Sequence, residues 1–142
     1  MNTRVLLAVL LMGAVMVLTG CATTDEKNED PLSRPGDLRV GPDLQYSDLP
    51  VPQDFEYVAA DSFSAQGTGF RVGEFVYKGD ADAFELIRFY RSQMPANGWE
   101  ETRNLDIGSR AILFFQKEDE RCTVIIRRSA MLRSSLVKIS LW

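Results

Sequence analysis

One stretch of this chain, Gly79 to Gly98, has the spacing of a helix, and it limits what the rest can become. Ala83, Phe84, Leu86, Ile87, Phe89, Tyr90 and Met94 recur at intervals of three and four. That spacing gathers them on one broad apolar face. Asp80 is the expected N-cap, and Asp82 adds negative charge to the first turn. Glu85, Arg88 and Ser92 mark the opposite side, with Glu85 and Arg88 spaced to pair. Pro95 and Asn97-Gly98 end the helix. Such a helix needs an apolar surface to lie on, and the flanking sequence supplies strands.

Arg110 to Lys117 and Cys122 to Arg128 are rich in β-branched and aromatic residues. Leu136 to Trp142 alternates Val137, Ile139 and Leu141 with Lys138 and Ser140. Phe70 to Lys78 reads as a further strand, Phe55 to Phe63 as a weaker one, and Trp99 to Leu105 as one of poor alternation. Ser64 to Gly69, with two glycines, reads as the loop of a hairpin. The expected order is β-β-α-β-β-β-β. The expected class is α+β, two-layer, with one helix packed on an antiparallel sheet. Phe84, Ile87, Phe89, Tyr90 and Met94 would be buried between the layers, with Ile87 near the centre.

The start of the chain is of another kind. Arg4 precedes Val5 to Leu18, a run with no charged residue. These are the charged and apolar regions of an export signal. The run is about 14 residues, short of the roughly 20 that span a bilayer. An uncleaved membrane helix is the competing reading. Leu18-Thr19-Gly20-Cys21 resembles the lipobox of bacterial lipoproteins: Leu, a small residue, Gly or Ala, then Cys. The resemblance implies cleavage between Gly20 and Cys21 and lipid attachment at Cys21. Two or more acyl chains would make that attachment durable. Ala22 after the cysteine implies, within that family, sorting to the outer membrane, facing the periplasm, in a cell with two membranes. The pattern Tyr77-Lys78-Gly79, Phe89-Tyr90-Arg91, Met94-Pro95 before Gly98-Trp99, and Phe114 to Lys117 also resembles small domains of bacterial envelope lipoproteins. It covers residues 70–128 and implies a fold, not an activity.

Residues 22–53 show neither helical nor strand periodicity and carry Pro31, Pro35, Pro42, Pro50 and Pro52. They read as a disordered acidic tether, with eight acids against three bases from Ala22 to Asp54. Packing of Leu44 to Val51 on the domain as an arm is the competing reading. From Phe55 onward acids and bases number twelve each, so the net charge of −4 reflects the tether. The expected division is 1–20 signal peptide, 21–54 lipidated N-terminus and linker, and 55–142 a single domain.

The chain has no histidine, which removes the commonest general base and metal ligand. With Cys21 acylated, Cys122 has no partner for an intrachain disulfide, and it reads as a small buried hydrophobe. Glu118-Asp119-Glu120 lacks the ligand spacing of a calcium loop. Gly67-Thr68-Gly69 lacks the lysine and helix of a phosphate loop. No catalytic constellation, cofactor or metal is expected; paired carboxylates in a cleft would be needed for a hydrolase. After Glu120 the chain is basic, with Arg121, Arg127, Arg128, Arg133 and Lys138 and no acid. Of these, Arg127, Arg128 and Arg133 are candidates for binding lipid headgroups, cell-wall polymer or an acidic partner.

The reading that results is a membrane-anchored envelope lipoprotein of non-enzymatic role. Its small module would contact an envelope protein or the cell wall in assembly or maintenance, not nucleic acid. The alternative is a module that binds a small ligand or anionic polymer between helix and sheet, lined by Tyr77, Tyr90 or Trp99.

Overall fold

The alternation read in the C-terminal half becomes three long strands joined by tight turns. The computed structural model describes residues 37–128 and 134–142. The strands are β1 (Glu56–Tyr57), β2 (Phe63–Gly67), β3 (Phe70–Asp80), β4 (Glu100–Ile107), β5 (Arg110–Lys117), β6 (Glu120–Arg128) and β7 (Ser134–Leu141). A helix, α1 (Ala83–Ala96), lies between β3 and β4, and a 3-10 turn (Ala59–Asp61) lies between β1 and β2. All seven strands form one antiparallel sheet in the order β1-β3-β7-β6-β5-β4, with β2 beside β3 on the same edge as β1. Two-residue turns join β4 to β5 and β5 to β6. Gly108 makes the first turn with φ 59°, a conformation that glycine adopts without strain.

The crossing from β3 to β4 passes three intervening strands, a distance of about 19 Å. Fourteen helical residues rise about 21 Å, so α1 fits that span. Asp82, not Asp80, is the N-cap. Its side chain accepts from the Phe84 N–H, and Glu85 reaches back to the Asp82 N–H at 3.1 Å. Glu85 is thus committed to the cap, and Arg88 lies near Asp37 instead, at 3.6 Å. Pro95 sits within the last turn, and Asn97 caps the end.

Inward side chains alternate along the strands: Phe75 and Tyr77, Val137, Ile139 and Leu141, Cys122, Val124 and Ile126, Ala111, Leu113 and Phe115. From the helix, Ala83, Leu86, Phe89, Tyr90 and Met94 meet them. Phe84 is instead 62% exposed, and Ile87 packs only at the margin of the core. The helical stripe is therefore rotated toward Leu86 and Tyr90.

Two expectations need correction. The molecule is not a two-layer arrangement of helix on sheet in the order β-β-α-β-β-β-β. It is mostly antiparallel sheet, with three strands before the helix and seven in all. One helix about 10 Å across cannot cover a sheet several strands wide. It packs chiefly on β4, β5 and β6. The β3 side is covered by residues 37–55, and here lies the second correction. The packed body begins before residue 55, because Leu49 and Val51 belong to the core. Tyr46 packs edge-on against Phe75 with ring centres 5.5 Å apart. The Trp99 indole N–H donates to the Asp48 carbonyl at 2.9 Å. Gly79 lacks a side chain where the Phe55 ring lies directly over the strand. The Val40–Pro52 bridge closes the arm on itself.

Candidate functional site

The residues expected to line a cleft between helix and sheet are buried in the core. Tyr77, Tyr90 and Trp99 are 2%, 0% and 1% exposed. Burial pushes the Tyr77 phenol up to about 12 and the Tyr90 phenol well above its usual value. The Tyr90 hydroxyl is buried with no hydrogen-bond partner. Burial likewise raises the Cys122 thiol to about 12. At neutral pH that sulfur is protonated and a poor nucleophile. Among the described residues no three acidic or sulfur ligands converge to hold a metal.

The densest polar cluster fixes the arm. Arg71, on β3, donates two hydrogen bonds of 2.6 Å to Asp48 and two of 2.6 Å to Glu120. Lys117 donates to Asp48 at 2.8 Å. The Arg71 guanidinium also lies over the Tyr46 ring, 5.0 Å from its centre, and the Lys117 ammonium over Trp99 at 5.7 Å. Arg71, with help from Lys117, holds the Asp48 carboxyl at about 2. These pairs satisfy one another and tie the arm to β3, β5 and β6. Glu120 of the acidic turn belongs to this cluster.

The surface with unspent chemistry is the other face of the sheet. Strand register fixes its rows. At one end Ile107 lies opposite Arg110, and Arg110 opposite Arg127. Leu105, Ile112 and Ile125 form the next row. Arg103, Phe114 and Thr123 form the third, and Glu100, Gln116, Arg121 and Trp142 the fourth. Ile107 is 60% exposed, Leu105 41% and Trp142 57%, while Ile112, Phe114 and Ile125 are partly covered. A hollow of about 260 Å³ opens among Thr102, Arg103, Phe114, Arg121, Thr123 and Trp142. The ladder slips by one residue between Glu101 and Arg103. That bulge turns Arg103, Leu105 and Ile107 to the outer face and Glu101 to the helix side, where it pairs with Arg91 at 3.1 Å.

Arg103, Arg110, Arg121 and Arg127 are exposed and make no ion pair among the described residues. Arg121 stacks over Trp142 at 5.4 Å. Lys138 is already held by Glu74 at 2.7 Å. Of the candidates from sequence, Arg127 is on this outer face, whereas Arg128 points to the helix side and lies over Phe84 at 5.0 Å. The two are separated by the sheet. Arg133, Gly20 and Cys21 lie outside the described residues. Sequence reasoning missed Arg103 and Arg110. Arg103 stands among the polar residues Thr102 and Asn104 and Arg110 opens its strand after Ser109, so neither carries a local signal; the bulge and the pairing with β6 bring them to the face of Arg127.

With the strand order and this face established, the chain's class follows. It belongs to the START domain-like family, whose model matches residues 61–131, half of the chain. The match runs from the end of the 3-10 turn through α1 and β6. No curated protein and no solved structure matches the chain. Among the described residues, no helix is long and apolar enough to cross a membrane.

Proposed function

We propose that this chain is a membrane-anchored, non-enzymatic interaction module of the cell envelope. Acylated Cys21 would hold it to the membrane, with residues 1–20 removed. In a cell with two membranes, its place is the outer membrane, facing the periplasm. The observation that carries the interaction reading is the outer face of β4, β5 and β6. It has an aliphatic centre and arginines that make no ion pair among the described residues. Interfaces have that anatomy: an apolar middle and a polar rim, enriched in arginine. The alternative is a ligand held between helix and sheet; the burial of Tyr77, Tyr90 and Trp99 in the core weighs against it.

A photo-crosslinking side chain at Ile125, in the middle of the face, tests this in living cells. It should form an adduct with an envelope component, whereas the same group at Ser92, on the exposed side of α1, should not. If Ile125 yields no adduct, the interaction face is wrong. The anchor has its own test. Cys21→Ala should move the protein from the membrane to the soluble fraction, and continued membrane fractionation would defeat it.

A further inference from the structure

We infer that the outer face of β4, β5 and β6 docks on an anionic phospholipid bilayer. The inference deepens the proposed function and rests in part on its anchor. Residues 21–36 extend at most about 55 Å, so acylated Cys21 would confine the packed body to the neighbourhood of lipid.

Three observations favour this partner. First, the rows of the face nearest the β4–β5 turn, those of Arg110 with Arg127 and of Arg103, carry positive charge alone. Arg103, Arg110, Arg121 and Arg127 lack ion pairs among the described residues, and Glu74 is committed to Lys138 at 2.7 Å. Of the other nearby acids, Glu100 is on this face but opposite Gln116, in the row of Arg121 farthest from Ile107, and Asp106 pairs in register with inward Ala111, on the opposite side of the strand. Guanidinium groups match phosphate oxygens with two parallel hydrogen bonds. Second, the exposed aliphatic residues gather at the turn end of the face. Ile107 and Leu105 stand next to the β4–β5 turn and are the most exposed aliphatics of the face. An aliphatic tip flanked by Arg103 and Arg110 places side chains among acyl carbons and charges at headgroup level. Third, a second copy is a poor occupant, because face-to-face pairing would bring four arginines against four. An acidic protein would satisfy the charge. The exposed aromatic of the face, Trp142, lies in the row farthest from Ile107 and is stacked by Arg121, so the aliphatic tip itself offers such a partner little of the aromatic anchoring on which tight protein interfaces depend.

The test uses the chain from residue 21 with Cys21→Ser, so that no acyl group contributes. Vesicles of phosphatidylcholine alone are compared with vesicles that also contain phosphatidylglycerol. The protein should partition onto the anionic vesicles only, and raised salt should release it. A neighbouring basic residue contributes roughly a fivefold gain in partition at an anionic surface. The combined variant Arg103→Ala, Arg110→Ala, Arg127→Ala should therefore lose on the order of a hundredfold. Its thermal midpoint should stay unchanged, since none of the three holds the fold through an ion pair. Ile107→Ser should weaken binding while leaving the salt dependence in place.

Equal partition onto neutral and anionic vesicles would overturn the inference. So would retention by the triple variant, or no partition at all, which would leave the face to an acidic protein. Self-association abolished by Ile107→Ser would assign it instead to a second copy and overturn the lipid reading as well. None of these outcomes bears on acylation, which the fate of Cys21→Ala in cells decides separately.

Discussion

Asp48 and Tyr90 show how single residues set the stability of this molecule in opposite ways. Asp48 is held below its ordinary value, at about 2, first by Arg71 and then by Lys117. Its carboxylate therefore contributes stability above the unfolded-state value of 3.8, and the contribution is lost as pH falls through the folded value. After allowance for solvent screening, the effect is about 1–2 kcal/mol. Urea titrations at pH 6 down to about 2 should show this loss in the wild type, and a shallower one in Asp48→Asn. Asp48→Asn should also be less stable at neutral pH, because Arg71 and Lys117 would lose a shared counter-charge. Tyr90 presents the reverse case. Its hydroxyl lies in the core without a partner, and burying such a group is unfavourable. Tyr90→Phe keeps the ring that packs edge-on with Phe89 and removes the unpaired oxygen. The variant should be as stable as the wild type or more stable by about 1 kcal/mol, as measured by thermal unfolding. A loss above about 2 kcal/mol would mean that the hydroxyl has a partner, such as a buried water.

Among the elements, α1 makes the clearest quantitative contrast. Leu86 is fully buried and Phe84 is 62% exposed, although both are large and apolar and only two positions apart. Leu86→Ala should cost about 2–5 kcal/mol, and Phe84→Ala well under 1, limited to its contact with Arg128. Asp82→Ala removes both the cap and its reciprocal bond from Glu85, and should cost about 1 kcal/mol. Comparison of the three midpoints checks the rotation of the stripe. The sequence made the helix legible but not which side of its broad apolar face was central, since Phe84 and Leu86 differ only in what lies opposite. β5, β6 and β7 were legible because Ala111, Leu113 and Phe115, and their counterparts in β6 and β7, alternate against a buried face. β2 was not, because all five residues of Phe63–Gly67 are exposed and leave no alternating pattern. It exists by pairing with β3, a tertiary fact. The arm was hidden for a related reason. Leu49 and Val51 stand among prolines without periodicity, and only the uncovered β3 side of the sheet explains their burial. Of the outer face, Arg127 was visible as part of a basic run. Arg103 and Arg110 joined it only through a bulge and a register that no local pattern encodes.

At the scale of the whole molecule, a single core unites the arm, the helix and the inward side of the sheet, and Cys122 is part of it. The thiol is 1% exposed and its value is raised to about 12, so the native protein withholds it twice, sterically and by protonation. It sits on β6, with β5 and β7 on its two sides. Fraying of β1, β2 or the β4 edge therefore cannot reach it. Access requires separation of the central strands, the event with the highest opening free energy in a cooperative domain. A thiol reagent at neutral pH should label Cys122 slowly in the native Cys21→Ser chain and quickly in denaturant. In the native chain the labelling rate should rise as global stability is lost. Asp48→Asn is the decisive comparison, because it loosens the arm through Arg71 and Lys117 while leaving the backbone pairing of β6 with β5 and β7 around Cys122 in place. If arm and sheet unfold together, that variant should label faster by the factor that its loss of stability implies, roughly tenfold for each 1.4 kcal/mol. An unchanged labelling rate in a destabilised Asp48→Asn would show that the arm opens alone, and that Leu49 and Val51 cover the sheet without belonging to its cooperative unit.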